Sequence, residues 1–98
     1  SKAVELWERS AQGGVMVAAY NIGLAHSEGK AVNADKVEAL KWLSITAAKI
    51  KSERIKAFAE LDAQRIASTL TAEQVAQAKM LEAAWLKKWG KEKTSSNE

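Results

Sequence analysis

Ala18-Ala19-Tyr20-Asn21-Ile22-Gly23-Leu24 is followed, across the turn residues Gly29-Lys30-Ala31-Val32-Asn33-Ala34-Asp35, by Glu38-Ala39-Leu40-Lys41-Trp42-Leu43 and Ala47-Ala48. Small residues recur at three- and four-residue spacing on both sides of a glycine-containing turn, which is the pattern of two helices that approach closely. Gly23 lies inside the first of these helices, where it costs about 1 kcal/mol relative to Ala, so it is best explained by a neighbouring helix crossing over it. The pair forms a helical hairpin whose apolar stripe its own partner cannot cover, a problem that stacked repeats solve.

Working outward, nothing in the chain competes with helix. Proline is absent, and every alternation that could mark a strand is short. A first helix is predicted over 2–12, with Ala3, Leu6, Trp7, Ser10 and Ala11 on one stripe, and Gly13-Gly14 ends it. The second helix runs from 15 to 27 and buries Met16, Ala19, Tyr20, Gly23 and Leu24. The third, capped by Asp35 or Asn33, extends to 49 with Val37, Leu40, Trp42, Leu43 and Ala47 apolar. A fourth covers 52–68, with Ile55, Phe58, Ala59, Leu61, Ala63 and Ile66 as its packing set. Thr71-Ala72-Glu73-Gln74 reads as a capping box opening a fifth helix that ends near Trp89. The fold class is therefore all-α.

A shift of 36 positions lays Ala3, Leu6, Trp7 and Ala11 on Ala39, Trp42, Leu43 and Ala47, so the first and third helices are expected to play one role. On that reading residues 1–13 are half a repeat, and an apolar stripe around Val4 and Trp7 is left uncovered, available for self-association. Residues 14–49 form a full repeat and 50–90 a degenerate closing hairpin. The polar stretch 91–98 has the composition of a frayed terminus.

The residues Ala19, Ile22-Gly23, Gly29, Val32, Asp35, Ala39, Trp42 and Ala47 resemble the Sel-one-like repeat family, a branch of the tetratricopeptide-like helical-hairpin repeats. Two positions depart from the family pattern: Ala31 stands for the turn's second glycine, and His26 for an aromatic. The segment from Ala57 to Trp89 is similar to the degenerate hairpin that closes bacterial members. The resemblance implies a right-handed α-α superhelix, a solenoid of antiparallel pairs with a concave partner-binding face. It also implies adaptor roles in bacterial envelope, secretion or signalling systems and no shared reaction.

Composition narrows function further. With 98 residues, 47% hydrophobic and 28% charged, the chain fits one globular domain with little redundancy in its core. The absence of cysteine removes disulfides, thiolate nucleophiles and sulfur-ligated metals. No apolar run approaches the roughly 20 residues that cross a bilayer. The net charge of +3 gathers in Lys49-Lys51-Arg54-Lys56 and Lys87-Lys88-Lys91-Lys93, which read as solvated helix ends, because Glu53 and Glu92 interrupt any continuous basic face for nucleic acid.

His26 is the sole histidine and cannot make a usual zinc site alone. Asp35 and Glu38 are explained by capping and the helix dipole. Ser10, Ser27 and Ser44 have no evident base-and-orienter arrangement, and Gly13-Gly14 lacks the lysine of a phosphate loop. No catalytic residue, metal or cofactor is therefore assigned. Among the four tryptophans, Trp42 and Trp85 are expected in the core, with Trp89 and then Trp7 the most exposed.

In the related tetratricopeptide hairpins the first helix of each pair lines the concave wall. This makes Val17, Asn21, Leu24 and Glu28, continued by Arg54, the expected partner-binding residues. Asn21 is the strongest candidate, since a side-chain amide bonds a peptide backbone in both directions. The expected function is a noncatalytic protein-interaction module that takes a peptide or protein. The alternative is a cell-envelope carbohydrate (peptidoglycan)-binding protein or hydrolase that uses His26 and nearby acids, and periplasm or envelope is favoured over cytoplasm.

Overall fold

A computed structural model of the chain describes residues 2–29 and 35–90. Among them are five helices and no strand: α1 (Lys2–Gln12), α2 (Met16–Glu28), α3 (Lys36–Lys49), α4 (Glu53–Ala67) and α5 (Ala72–Trp89). Expected helix ends agree to within a residue or two, and local chemistry explains why. Gly14 takes φ 102° in the α1–α2 turn, and Gly29 takes φ 73° as its amide closes α2 on the Ala25 carbonyl. Asp35 accepts from the Glu38 amide at 3.1 Å, and Ser52 from the Ile55 amide at 3.3 Å. Thr71 and Gln74 form the reciprocal capping box. The expectations placed on Ala31, Val32, Asn33 and 91–98 lie outside the described residues.

The third helix is the hub. Its buried residues Ala39, Leu40, Trp42, Leu43, Ile45 and Thr46 span roughly 220° around the axis, wider than the stripe of a helix that packs on one neighbour. α2, α4 and α5 all pack on it, and α1 packs on α2. One side of α3 supplies Trp42 and Ile45 to a core shared with Ala11, Met16, Ala18, Ala19, Ile22 and Trp85. The other side supplies Ala39, Leu40 and Leu43 to a second core with Ile66 and Ala78. Trp42 and Trp85 meet edge to face at 5.6 Å. Both are buried, as expected, and Trp89 and Trp7 are the less covered pair. α5 lies on α3 rather than along α4.

Gly23 sits where the sequence demanded a close crossing. A Cβ there would stand 2.9 Å from two side-chain carbons of Leu43 and 3.3 Å from its backbone nitrogen. Trp42 is fixed at its indole N–H, which donates to Glu38 at 3.2 Å, while Lys41 bridges the same carboxylate and lies over the ring. The buried Thr46 hydroxyl donates to the Trp42 carbonyl at 2.8 Å and so carries no unmet polar group.

Two expectations about packing require correction. On α1 the covered residues are Val4, Trp7, Glu8, Ala11 and Gln12, while Ala3 and Ser10 are exposed and Leu6 is 57% exposed. The Val4–Trp7 stripe is therefore not left open; Trp7 packs on the first core. Burial on α1 and α3 aligns with a shift of 35 positions, which lays Trp7 on Trp42, Val4 on Ala39 and Ala11 on Thr46. The second correction concerns α4. Ala59 and Ile66 are buried there, but Phe58 is 47% and Leu61 57% exposed.

Candidate functional site

α2 is enclosed on three sides: Met16, Ala18, Ala19, Ile22, Gly23 and Ala25 are all buried. Val17, Asn21, Leu24 and Glu28 form a stripe at spacing i, i+4, i+7, i+11 that is exposed or half-buried; Tyr20, His26 and Ser27 are half-buried elsewhere on the helix. Val17 is 48% exposed, Glu28 is exposed, and Asn21 and Leu24 are half-buried. The four sequence-predicted residues of α2 are thus brought onto one strip. Leu24, which the sequence also places in the packing set, lies at the margin of both roles.

A hydrogen bond ties α4 to α2. The Tyr20 hydroxyl donates to Asp62 Oδ2 at 3.1 Å and joins α2 to α4. Burial and the adjacent carboxylate both push the Tyr20 phenol above its ordinary pKa, so the hydroxyl keeps its proton and remains the donor. Asp62 also accepts from Arg65 at 3.1 Å. Because α2 and α4 are each joined to α3 by a short connection and packed on it, both run antiparallel to α3 and hence in the same direction.

Helical geometry then places the outer stripes. At about 100° per residue, Leu24 and Val17 lie about 40° and 60° to one side of Tyr20, and Gly23, which faces α3, about 60° to the other. On α4, Ile66 and Ala59 face α3 on one side of Asp62, and Phe58 and Leu61 fall on the opposite side. The exposed stripes of the two helices therefore share one side of the molecule. Val17 and Leu24 lie on that side of α2 and Phe58 and Leu61 on that side of α4, with the Tyr20–Asp62 bond between the two helices.

Arg54, the remaining predicted residue, is exposed in the first turn of α4. It belongs to the stripe Arg54, Phe58, Leu61, Arg65, again at i, i+4, i+7, i+11. Phe58, Leu61 and Arg65 are exposed residues beside the candidate face that sequence reasoning missed, since the apolar pair had been assigned to the core. Two arginines in register with that pair were the signal that this arc faces water.

The residues of the alternative reading are placed differently. His26 is half-buried, its Nδ1 is enclosed without a hydrogen-bond partner among the described residues, and its carbonyl accepts from the Asp35 amide at 3.1 Å. Among the described residues no group of three or more His, Cys, Asp or Glu side chains is placed to hold a metal ion. No described helix is long and apolar enough to cross a membrane. Comparison with protein-family models, with curated proteins and with solved structures found no match to this chain.

Proposed function

We propose that this chain is a protein-interaction module of the Sel-one-like, helical-repeat kind, which takes a peptide or protein along the open face of α2 and α4. The observation that carries the reading is the exposure of apolar side chains on two neighbouring helices: Val17, Phe58 and Leu61 are open to solvent, and Leu24 and Asn21 are half-open. Apolar side chains exposed together at helical spacing on one face are the usual substance of such a surface. Helix-by-helix packing from α1 through α4 and the small-residue crossing at Gly23 support the stacked-repeat reading.

The test is paired substitution. Asn21→Ala with Leu24→Ala changes two half-exposed side chains, so the variant keeps its helical circular dichroism and its cooperative melt. In affinity capture from the source cells, a partner identified by mass spectrometry with the unmodified chain is lost with the variant. Capture of the same partner in undiminished yield by a folded variant rejects this face.

A further inference from the structure

The two basic clusters, far apart in the sequence, meet at one end of the fold. α5 runs beside α3 in the same sense, since Trp85 lies against Trp42 and the Lys49 ammonium donates to the Gly90 carbonyl at 2.8 Å. The end of α5, with Lys87 and Lys88, therefore stands beside the end of α3 and the start of α4, with Lys51, Arg54 and Lys56. The α1–α2 turn lies at this end too, because α2 is antiparallel to α3. Ala11 and Met16, on either side of that turn, share a core on which Ile50 and Leu86 pack. Arg9, in the last turn of α1, joins the group.

Within about two turns of this end, these seven cations stand against two acids, Glu8 and Glu53, a local excess of five. The rest of the described chain carries five cations and eight acids, so the molecule is charged unevenly along its length. Three helix C-termini and two N-termini meet here, and their dipoles sum to about half a negative charge, which does not cancel the excess. Lys51, Arg54, Lys87 and Lys88 are exposed, and among the described residues neither they nor Lys56 form an ion pair. Val15 and Trp89, both exposed, share this end, with the Lys88 ammonium 5.3 Å from the centre of the Trp89 ring.

We infer that this end docks on an anionic phospholipid surface. Clustered lysines and arginines are drawn to anionic headgroups, each cation adding to the attraction, and an indole beside them settles at the level of the headgroups. A bilayer demands no register, which suits cations spread over helix ends and turns from four helices. A nucleic-acid strand needs a groove that follows its backbone and an aromatic face free for a base, whereas one face of Trp89 is already taken by Lys88.

The experiment sediments the whole chain with phosphatidylcholine vesicles containing about 30% phosphatidylserine, at about 0.05 M salt. The chain partitions onto these and not onto pure phosphatidylcholine, and about 0.5 M salt releases it. Lys51→Gln with Lys87→Gln and Lys88→Gln weakens the partition about a hundredfold, roughly fivefold per cation. Lys2→Gln with Lys36→Gln and Lys79→Gln leaves the same net charge but spares this end, and weakens it far less. Both triple variants change exposed side chains and keep the helical circular dichroism. Brominated acyl chains quench the indole emission of the bound chain, and Trp89→Phe removes that quenching.

The inference is overturned by equal sedimentation with neutral vesicles, by equal losses in the two triple variants, or by quenching undiminished in Trp89→Phe. Absence of binding to the anionic vesicles overturns it as well, and an oligonucleotide bound instead with the same dependence on Lys51, Lys87 and Lys88 gives this end to nucleic acid. None of these outcomes bears on the face of α2 and α4, which is judged by Asn21→Ala with Leu24→Ala.

Discussion

Adding a single methyl group at Gly23 separates helix propensity from helix packing. On an isolated helix, Gly→Ala stabilises by about 1 kcal/mol. Here the new Cβ would stand 2.9 Å from Cγ and Cδ2 of Leu43, which is fully buried and has little room to retreat, and 3.3 Å from a backbone nitrogen. Overpacking of this kind typically costs about 1–3 kcal/mol, so packing outweighs propensity and Gly23→Ala is expected to destabilise by roughly 1 kcal/mol. For a domain of this size that lowers Tm by about 4–8 °C. The decisive control is Leu43→Ala, which itself costs about 2–5 kcal/mol but removes both clashing carbons. In that background Gly23→Ala should change sign and restore about 1 kcal/mol, a coupling of about 2 kcal/mol in a double-mutant cycle. Urea unfolding of the four proteins, followed by circular dichroism, measures it. A stabilising Gly23→Ala in the unmodified chain, or one equal shift in both backgrounds, would refute the close crossing.

Tyr20→Phe removes the donor to Asp62 and should cost about 1 kcal/mol, since Arg65 still serves the carboxylate. The phenol's raised pKa means the unfolded chain releases its proton first, so stability is intact below pH 10 and falls as pH rises through the folded value. Alkaline unfolding should therefore be shallower for the Phe variant, and identical profiles would dismiss the bond. Burial raises the pKa of Glu82, with Lys79 offsetting it in part. A carboxylate raised in this way loses stability as pH rises through its folded value, so Glu82→Gln should melt higher than the unmodified chain at pH 7. The gap should close in acid below the ordinary carboxylate range, which thermal melts across that interval would show. Thr71→Ala breaks one half of the capping box and should cost about 1 kcal/mol, read as a lower urea midpoint with an unchanged slope.

Much of this architecture was legible because its signals are local. Asp35, Thr71 and Gln74 act on their own backbone, and Gly14 and Gly29 break helices by adopting positive φ. Gly23 announced a non-local contact because nothing local justified it. The phase of α1 and the outer face of α4 were not legible. On α4 the apolar residues Ile55, Phe58, Ala59, Leu61, Ala63 and Ile66 cover more than half the circumference, so periodicity alone permits more than one buried arc. The arc actually covered includes Asp62, a polar residue that belongs there only because Tyr20 of another helix meets it. On α1, Leu6 looked like core by type, but the cover that α2 provides falls on Val4 and Ala11. The strip Val17, Asn21, Leu24, Glu28 was found because it is the complement of six small or aliphatic residues. Its neighbour on α4 required a contact 42 residues away in the chain.

The placement of α5 on α3, with Trp85 edge-on to Trp42, governs how the molecule comes apart. In a simple linear array the last unit touches only its predecessor and can peel away at small cost. Here the final helix reaches back past α4 to the centre, so detaching it uncovers Trp42, Ile45 and Ala19 at once. Trimming from that end should therefore be all-or-none. Truncation before Trp85 yields a collapsed or degraded chain and not a shorter stable stack, and amide exchange in α3 and α5 proceeds at a common rate set by whole-molecule opening.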